Sequence, residues 1–71
     1  MEQYRINFAN NLKRLRNGRG VTIRRLESDL NISKTSISEY ENMQSIPGLD
    51  VAKKIADYFN TTVQALIEEG E

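Results

Sequence analysis

The sequence predicts an all-α protein that folds as a single domain over residues 1–71. Apolar residues recur every three or four positions along the chain, which is the spacing of one face of a helix. No segment alternates strictly between apolar and polar residues, as a half-buried strand would. Residues that commonly cap helix N-termini precede several of the apolar segments. These observations predict five helices, over about residues 3–17, 22–30, 33–42, 48–59 and 62–69.

The first predicted helix carries its apolar residues on one stripe, which consists of Tyr4, Phe8, Leu12 and Leu15. Gly18 and Gly20 follow this stripe. Glycine tolerates the positive φ that many helix C-termini require. We therefore expect the first helix to end at these two glycines.

The second and third helices are predicted from two helix caps, Thr22 and Ser33. Each cap has an apolar residue before it and another four residues after it, the arrangement of a hydrophobic staple; these residues are Val21, Leu26, Ile32 and Ile37. Asn31 stands between the two helices and is one of the few non-glycine residues that tolerate a left-handed conformation. We therefore expect a sharp turn between two short helices.

The fourth and fifth helices are predicted from a proline and a further cap. Pro47 and Gly48 open the fourth helix, because proline is disfavoured inside helices but accepted near their starts. The inward stripe of this helix is predicted to be Leu49, Ala52, Ile55, Ala56 and Phe59. Thr62 caps the fifth helix. Its inward residues are predicted to be Val63, Leu66 and Ile67.

The composition predicts neither an enzyme nor a metal, cofactor or small-molecule site. The sequence contains no Cys and no His, which removes thiolate nucleophiles, imidazole bases and the usual zinc ligands. Asp and Glu residues alone, without a glycine-rich phosphate-binding loop, offer few groups from which an active site could be assembled. The N-terminal residues lack the features of a secretion signal and no apolar segment is long enough to cross a bilayer. We therefore expect a cytoplasmic protein.

The charged residues are segregated along the chain although the formal net charge is zero. Residues 1–38 hold eight Lys and Arg against three Asp and Glu, a net charge of +5. Residues 39–71 hold two Lys against seven Asp and Glu, a net charge of −5. Such asymmetry is typical of a protein that turns one face towards a polyanion. The alternative interpretation is that the charged residues only keep the helix surfaces solvated.

Two short capped helices joined by a tight turn form the arrangement that presents its second helix to the major groove of DNA. The run LKRLRNGRGVTIRRLESDLNISKTSISEYEN, continued by IPGLDVAKKIADYFNTTVQALI, resembles the phage repressor/Cro (XRE) helix-turn-helix domains. The resemblance extends from Phe8 to Ile67. It implies a compact, lambda-repressor-like bundle from a prokaryote or phage. The implied function is a sequence-specific transcription regulator, a repressor or Cro-like protein, whose recognition helix spans residues 33–42.

The sequence departs from the family pattern at four positions. Asn31 and Met43 stand where the family usually has glycine, and Ile23 stands where it usually has Gln. Ile23 can therefore offer DNA only its main-chain N–H. Glu27 replaces a small Ala between the second and third helices. We expect its carboxylate to reach water or to find a cation such as Lys34.

The outward side of the third helix carries the candidate base-reading residues, Lys34, Thr35, Ser38 and Glu39. A Lys ammonium can donate to guanine, a Thr methyl can contact a thymine methyl, and a carboxylate can accept from cytosine. The family reads bases from the matching positions. The alternative interpretation is an ordinary solvated helix face.

The predicted phosphate contacts lie at the starts of the second and third helices and just beyond the third; they are Thr22, Ile23, Arg24, Ser33, Ser36, Asn42 and Gln44. Arg14, Arg19 and Arg25 either add to the positive field or only solubilise the protein. Arg16 and Glu41 match family positions that pair with each other. The resemblance therefore implies a structural ion pair.

The predicted partner is double-stranded DNA with a palindromic operator, bound by a homodimer. Val51 and Tyr58 lie off the inward stripe of the fourth helix and are either dimer contacts or stray exposed residues. The chain reaches only one residue beyond Gly70, so we expect regulation through dimerisation, a partner or expression level. The alternative function is an antitoxin-like or antirepressor interaction module on the same fold with weak DNA binding.

Overall fold

The computed structural model describes residues 3–69 as five helices and contains no strand in that range. They are α1 (Gln3–Gly18), α2 (Ile23–Leu30), α3 (Lys34–Glu41), α4 (Leu49–Tyr58) and α5 (Val63–Ile67). This confirms the predicted all-α class. Residues 1, 2, 70 and 71, and with them both ends of the predicted domain, lie outside the described residues. Between residues 3 and 69, no helix is long and apolar enough to cross a membrane.

Three helices begin at the predicted capping residues. The hydroxyl of Thr22 accepts a hydrogen bond from the Arg25 N–H at 3.0 Å, and the hydroxyl of Thr62 accepts one from the Ala65 N–H at 3.1 Å. Ser33 accepts from the Ser36 N–H at 3.1 Å. Each cap satisfies one of the N–H groups that a helix start leaves without an intrahelical partner. α4 begins after Gly48 without a side-chain cap.

The turns between helices use left-handed residues. Gly20 lies in the turn after α1 and has a φ of 65°, whereas Gly18 is the last residue of α1 itself. Asn31 adopts the predicted left-handed conformation between α2 and α3, with φ 56° and ψ 44°. Met43 and Asn60 also have positive φ values, of 64° and 56°. Met43 therefore adopts, at the C-terminal side of α3, a backbone conformation that suits the glycine usual in the family.

The core lies where all five helices meet. α1 packs against α3 and α5, α2 packs against α3 and α4, and α4 packs against α5. The buried apolar side chains of the central cluster are Phe8, Leu12, Leu26, Leu30, Ile32, Ile37, Tyr40, Ile55, Ala56, Phe59 and Leu66. Most of the predicted inward residues are among them. Leu15 and Val63 are half-buried and pack against the edge of this cluster.

Three residues predicted to face inward are exposed instead. Leu49 is 81% exposed, Tyr4 is 42% exposed and Ile67 is 37% exposed. Each lies at or near the end of its helix, where a side chain has fewer neighbours to cover it than in the middle of the helix. Together with Phe8, Pro47 and other apolar side chains they line a groove of about 190 Å³. The helical periodicity placed these residues on the correct face but could not show where the core ends.

Two buried asparagines of α1 hold the C-terminal end of α5. The Asn11 amide donates to the carbonyl oxygens of Ala65, Leu66 and Glu68, at 3.2, 2.8 and 2.8 Å. Asn7 donates to the Ile67 carbonyl at 3.1 Å. The last carbonyls of a helix lack intrahelical donors, so these side chains satisfy them from outside. The sequence patterns predicted no role for either asparagine.

Candidate nucleic-acid interface

The candidate interface is built on α2, α3 and the short turn between them. Leu26 and Leu30 of α2 and Ile37 of α3 are buried in the common core. Packing of these side chains fixes the two helices against each other. The opposite sides of both helices are left at the protein surface, as a helix-turn-helix motif requires.

The predicted base-reading residues share the outer side of α3. Lys34 and Thr35 in the first turn are exposed, whereas Ser38 and Glu39 are half-buried. Ile37 and Tyr40 occupy the buried side of the same helix. The first turn of α3 is therefore its most accessible part. A recognition helix that enters the major groove uses this end to reach base edges.

Glu39 also contacts the segment that follows α3. The Ser45 hydroxyl lies 3.4 Å from the Glu39 carboxylate, within donating distance, and the Gln44 N–H donates to the Glu39 carbonyl at 2.9 Å. Sequence reasoning missed Ser45, because no pattern relates a loop serine to a helix carboxylate six residues earlier. This contact gives the Glu39 carboxylate a hydrogen-bond partner within the protein, which the exposed side chains of Lys34 and Thr35 lack among the described residues.

The predicted phosphate-contacting residues lie at the starts of α2 and α3 and just after α3. Thr22 and Arg24 are exposed at the start of α2, and Asn42 and Gln44 are exposed after α3. Ile23 is half-buried and packs against the core, so its side chain is directed inward. The remaining two are Ser33 and Ser36, at the start of α3. The Ser33 hydroxyl donates a hydrogen bond to the Ser36 hydroxyl at 2.9 Å.

Several arginines of the basic half have partners within the protein. Arg25 pairs with Asp29 at 2.9 Å, and Arg14 donates to the Asn11 side chain at 3.2 Å. Arg19 donates to the Tyr58 carbonyl at 3.0 Å, and its guanidinium lies 5.3 Å from the centre of the Phe59 ring. By contrast, Arg24 is exposed and none of the described residues pairs with it. Arg24 is thus the arginine of α2 whose charge is most available to a phosphate.

Arg16 and Glu41 form an ion pair between α1 and α3. The guanidinium donates to both carboxylate oxygens, at 2.6 and 3.1 Å, and also to the Val21 carbonyl at 3.0 Å. Only 6% of the Glu41 side chain and 16% of the Arg16 side chain are exposed. The pair lies at the C-terminal ends of both helices. It fixes the position of α3 on the scaffold.

A family model described as helix-turn-helix matches residues 12–66, which includes the whole α2–turn–α3 motif. The chain belongs to the XRE-type helix-turn-helix family. A curated relative, the HTH-type transcriptional activator BcrR of Enterococcus faecalis, is 31% identical over 64 residues. The alignment covers 90% of this chain but 31% of the relative, so the chain spans about a third of that protein. No solved structure matches the chain significantly.

Membership of this family makes the matched domain a DNA-binding regulatory module rather than an enzyme. Arg16 and Glu41 are paired in the structure, as the resemblance implies. The four positions at which the chain departs from the family pattern are the ones that distinguish this member from its relatives.

Glu27 is the departure that changes the interface most. Its half-buried side chain crosses the turn and accepts a hydrogen bond from the main-chain N–H of Lys34, at 3.2 Å. The expected partner was water or the Lys34 ammonium. The observed partner is the backbone, because the first N–H groups of α3 are unsatisfied donors that lie close to α2.

A further polar contact, which lies at the surface, joins α2 to α4. The Tyr58 hydroxyl donates to Asp29 at 2.6 Å. This hydrogen bond, together with the Arg25 guanidinium, lowers the pKa of Asp29 below its ordinary value of 3.8, and it raises the pKa of Tyr58 above 10.0. Val51 is also half-buried and packs against the core. Val51 and Tyr58, which the sequence left as either dimer contacts or stray exposed residues, are therefore both partly buried against the core.

Proposed function

We propose that this protein is a sequence-specific transcription regulator that places α3 in the major groove of double-stranded DNA. The observation that carries the proposal is the exposed first turn of α3 on a scaffold fixed by the Arg16–Glu41 pair. A rigid helix with an accessible N-terminal turn is what the groove admits. The family match and the regulator relative support the same function.

Lys34, Thr35, Ser38 and Glu39 are the proposed base-reading residues. In this proposal Lys34 donates to guanine, Thr35 contacts a thymine methyl, and Glu39 accepts from the cytosine amine. Ser38 donates to or accepts from a base edge. The restraint that Ser45 places on Glu39 supports its role, because a carboxylate held in place discriminates better than a mobile one.

The proposed phosphate contacts position the protein without reading sequence. Arg24 supplies charge, and the hydroxyl or amide groups of Thr22, Ser33, Ser36, Asn42 and Gln44 supply neutral donors. Ile23 contributes its main-chain N–H alone, because its side chain is directed into the core. We propose that one docking orientation uses all of these groups, which lie at the starts of α2 and α3 and just after α3.

A homodimer on a palindromic operator is part of the proposal. One recognition helix contacts few base pairs, and this class of domain binds half-sites one helical turn apart. The exposed Leu49 and Ile67, which line the apolar groove, are proposed as contacts between copies beside Val51 and Tyr58. Leu49 both protrudes and lines that groove, which suits the self-complementary surface of a two-fold dimer.

The protein either represses or activates transcription. The sequence predicts a repressor or Cro-like protein, whereas the relative is named as an activator. A promoter-reporter assay with and without this protein decides between them. A cytoplasmic location and a prokaryotic or phage source stay predictions from the sequence.

The experiment that tests DNA binding is selection of sites from random duplex DNA, followed by affinity measurement at several salt concentrations. We expect a palindromic consensus and specific binding at least 10³-fold tighter than binding to random DNA. The competing function is an antitoxin-like or antirepressor interaction module. The zero net charge and Glu39 on the outer side favour that alternative. No enrichment of any site, with no retention on DNA at low salt, would refute the proposed function and favour the interaction module.

A further inference from the structure

We propose that Glu27 is a positioning residue for the recognition helix, acting as a second cap supplied by α2 instead of by α3 itself. Its carboxylate accepts the Lys34 N–H at 3.2 Å across the turn. Lys34 is the first residue of α3. The inference rests on the proposed function, because a recognition role for α3 gives this position its importance.

The first turn of α3 is capped from two directions. Ser33 accepts the Ser36 N–H from within the same segment, whereas Glu27 accepts the Lys34 N–H from the preceding helix. A cap from the same segment stabilises only the helix. A cap from α2 also fixes the orientation of α3 relative to α2. This contact therefore sets where the Lys34 and Thr35 side chains point.

The Glu27 carboxylate also places a negative charge at the end of α3 that would meet phosphates. The N-terminus of a helix attracts anions through its free N–H groups and its dipole. Here an internal carboxylate already occupies the Lys34 N–H. Glu27 is half-buried and lines a shallow pocket together with Asn31, Ile32 and Ser33. We infer that Glu27 weakens nonspecific attraction to DNA while it preserves the geometry needed for base reading.

Two substitutions separate these roles. Glu27→Gln keeps a carbonyl acceptor for the Lys34 N–H but removes the charge. Glu27→Ala removes both and restores the small residue usual in the family. Asp57→Asn is the matched control, because it removes one exposed carboxylate on α4, away from the turn. Affinities for the selected operator and for random duplex DNA would be measured for all three variants.

We expect both Glu27 variants to bind random DNA about two- to threefold more tightly per protomer, the size of one screened charge interaction at short range. Glu27→Ala should also lose about three- to tenfold in the ratio of specific to random binding, the usual effect of losing a cap contact. Glu27→Gln should retain most of that ratio. Asp57→Asn should change neither quantity. Equal ratios in Glu27→Ala and the unmodified protein would overturn the positioning role.

Amide hydrogen exchange of Lys34 in the free protein tests the cap without DNA. We expect exchange at least about fivefold faster in Glu27→Ala than in Glu27→Gln, since the amide keeps an acceptor. Unchanged exchange in both variants would overturn the cap itself. Faster exchange in a protein that binds no DNA would leave the cap standing and refute the proposed function.

Discussion

The guanidinium of Arg16 holds the carboxylate of Glu41 in a two-point hydrogen bond, with its Nε 2.6 Å from Oε2 and its Nη2 3.1 Å from Oε1. The same guanidinium donates through Nη1 to the Val21 carbonyl, just before α2. One side chain of α1 therefore contacts both the end of α3 and the approach to α2. This geometry makes the helix-turn-helix motif a rigid part of the domain.

Removing either member of this pair should destabilise the fold by about 1 to 3 kcal/mol, because the remaining partner loses its compensating group. We expect Arg16→Ala to cost more than Glu41→Ala. Loss of Arg16 leaves a carboxylate on a side chain that is only 6% exposed, whereas Arg16 without Glu41 keeps the Val21 carbonyl and, at 16% exposure, some contact with water. Urea unfolding of both variants and the double variant measures the coupling.

The exposed Lys53–Asp57 pair, with a separation of 3.6 Å, provides the control for this cycle. Its coupling should be near zero, because exposed pairs one helical turn apart contribute little. Equal coupling energies in the two cycles would contradict a structural role specific to Arg16 and Glu41.

The salt dependence of DNA binding should be steep although the protein has no net charge. The logarithm of affinity falls by about 0.9 per cationic phosphate contact as the logarithm of salt concentration rises. A dimer with two or three such contacts per half-site should have a slope of about −4 to −5. Arg24→Gln should reduce the slope by nearly two units per dimer, about 0.9 for each copy.

Lys53→Gln and Lys54→Gln are the matched controls for Arg24, since both residues are exposed on α4 in the acidic half. They should leave the salt slope nearly unchanged. Titrations by fluorescence anisotropy over a range of salt concentrations provide the measurement. A flat dependence, or equal effects of all three substitutions, would refute the proposed DNA-binding face.

Alanine substitution at Lys34, Thr35, Ser38 or Glu39 should relax the base preference at one position of each half-site. The expected loss of discrimination is about 1 to 3 kcal/mol per substituted residue. Glu39→Ala should also raise nonspecific affinity, because it removes a negative charge near phosphates. Gln64→Ala on α5 is the control. An unchanged preference matrix after all four substitutions would assign recognition to another surface.

Asn11→Ala should weaken the docking of α5 and destabilise the protein by about 1 to 3 kcal/mol, because buried carbonyls of α5 lose their donor. Asn11→Asp should be worse, since its carboxylate would face the same carbonyl oxygens. The neighbouring Asn10 is exposed, so Asn10→Ala is the control. Urea unfolding compares the three variants. An Asn11→Ala midpoint equal to that of Asn10→Ala would contradict this role.

Tyr58→Phe should lower the free energy of unfolding at neutral pH. It should lower it much less at acidic pH and at strongly alkaline pH. The folded pKa of Asp29 lies below its ordinary value, so its contribution is present above about pH 4 and is lost as the pH falls through the folded pKa. The folded pKa of Tyr58 is raised, so its contribution is present below about pH 10 and is lost as the pH rises through that pKa.

The measurement for this prediction is the difference in unfolding midpoint between the unmodified protein and Tyr58→Phe across the pH range. The difference should be largest between about pH 4 and pH 10, the ordinary pKa values of the two groups. Tyr40→Phe is the control, because Tyr40 packs its ring edge-to-face with Phe8. A pH-independent difference would show that the hydroxyl contributes through something other than Asp29.

The sequence by itself determined the five helices, the caps of α2, α3 and α5, and the left-handed turn at Asn31. These features depend on local chemistry, in which a side chain such as Thr22 or Ser33 satisfies a backbone group a few residues away. The outer side of α3 was also predictable, because helical periodicity relates Lys34 and Ser38 to the buried Ile37.

Only the tertiary structure decided which groups from distant parts of the chain meet. It directed Glu27 to the Lys34 backbone, joined Tyr58 to Asp29 and placed Asn11 against α5. It also left Leu49 exposed, although its spacing predicted burial. Periodicity specifies the face of a helix on which a residue lies. The length and position of the neighbouring helix determine what that face contacts, and no local pattern encodes them.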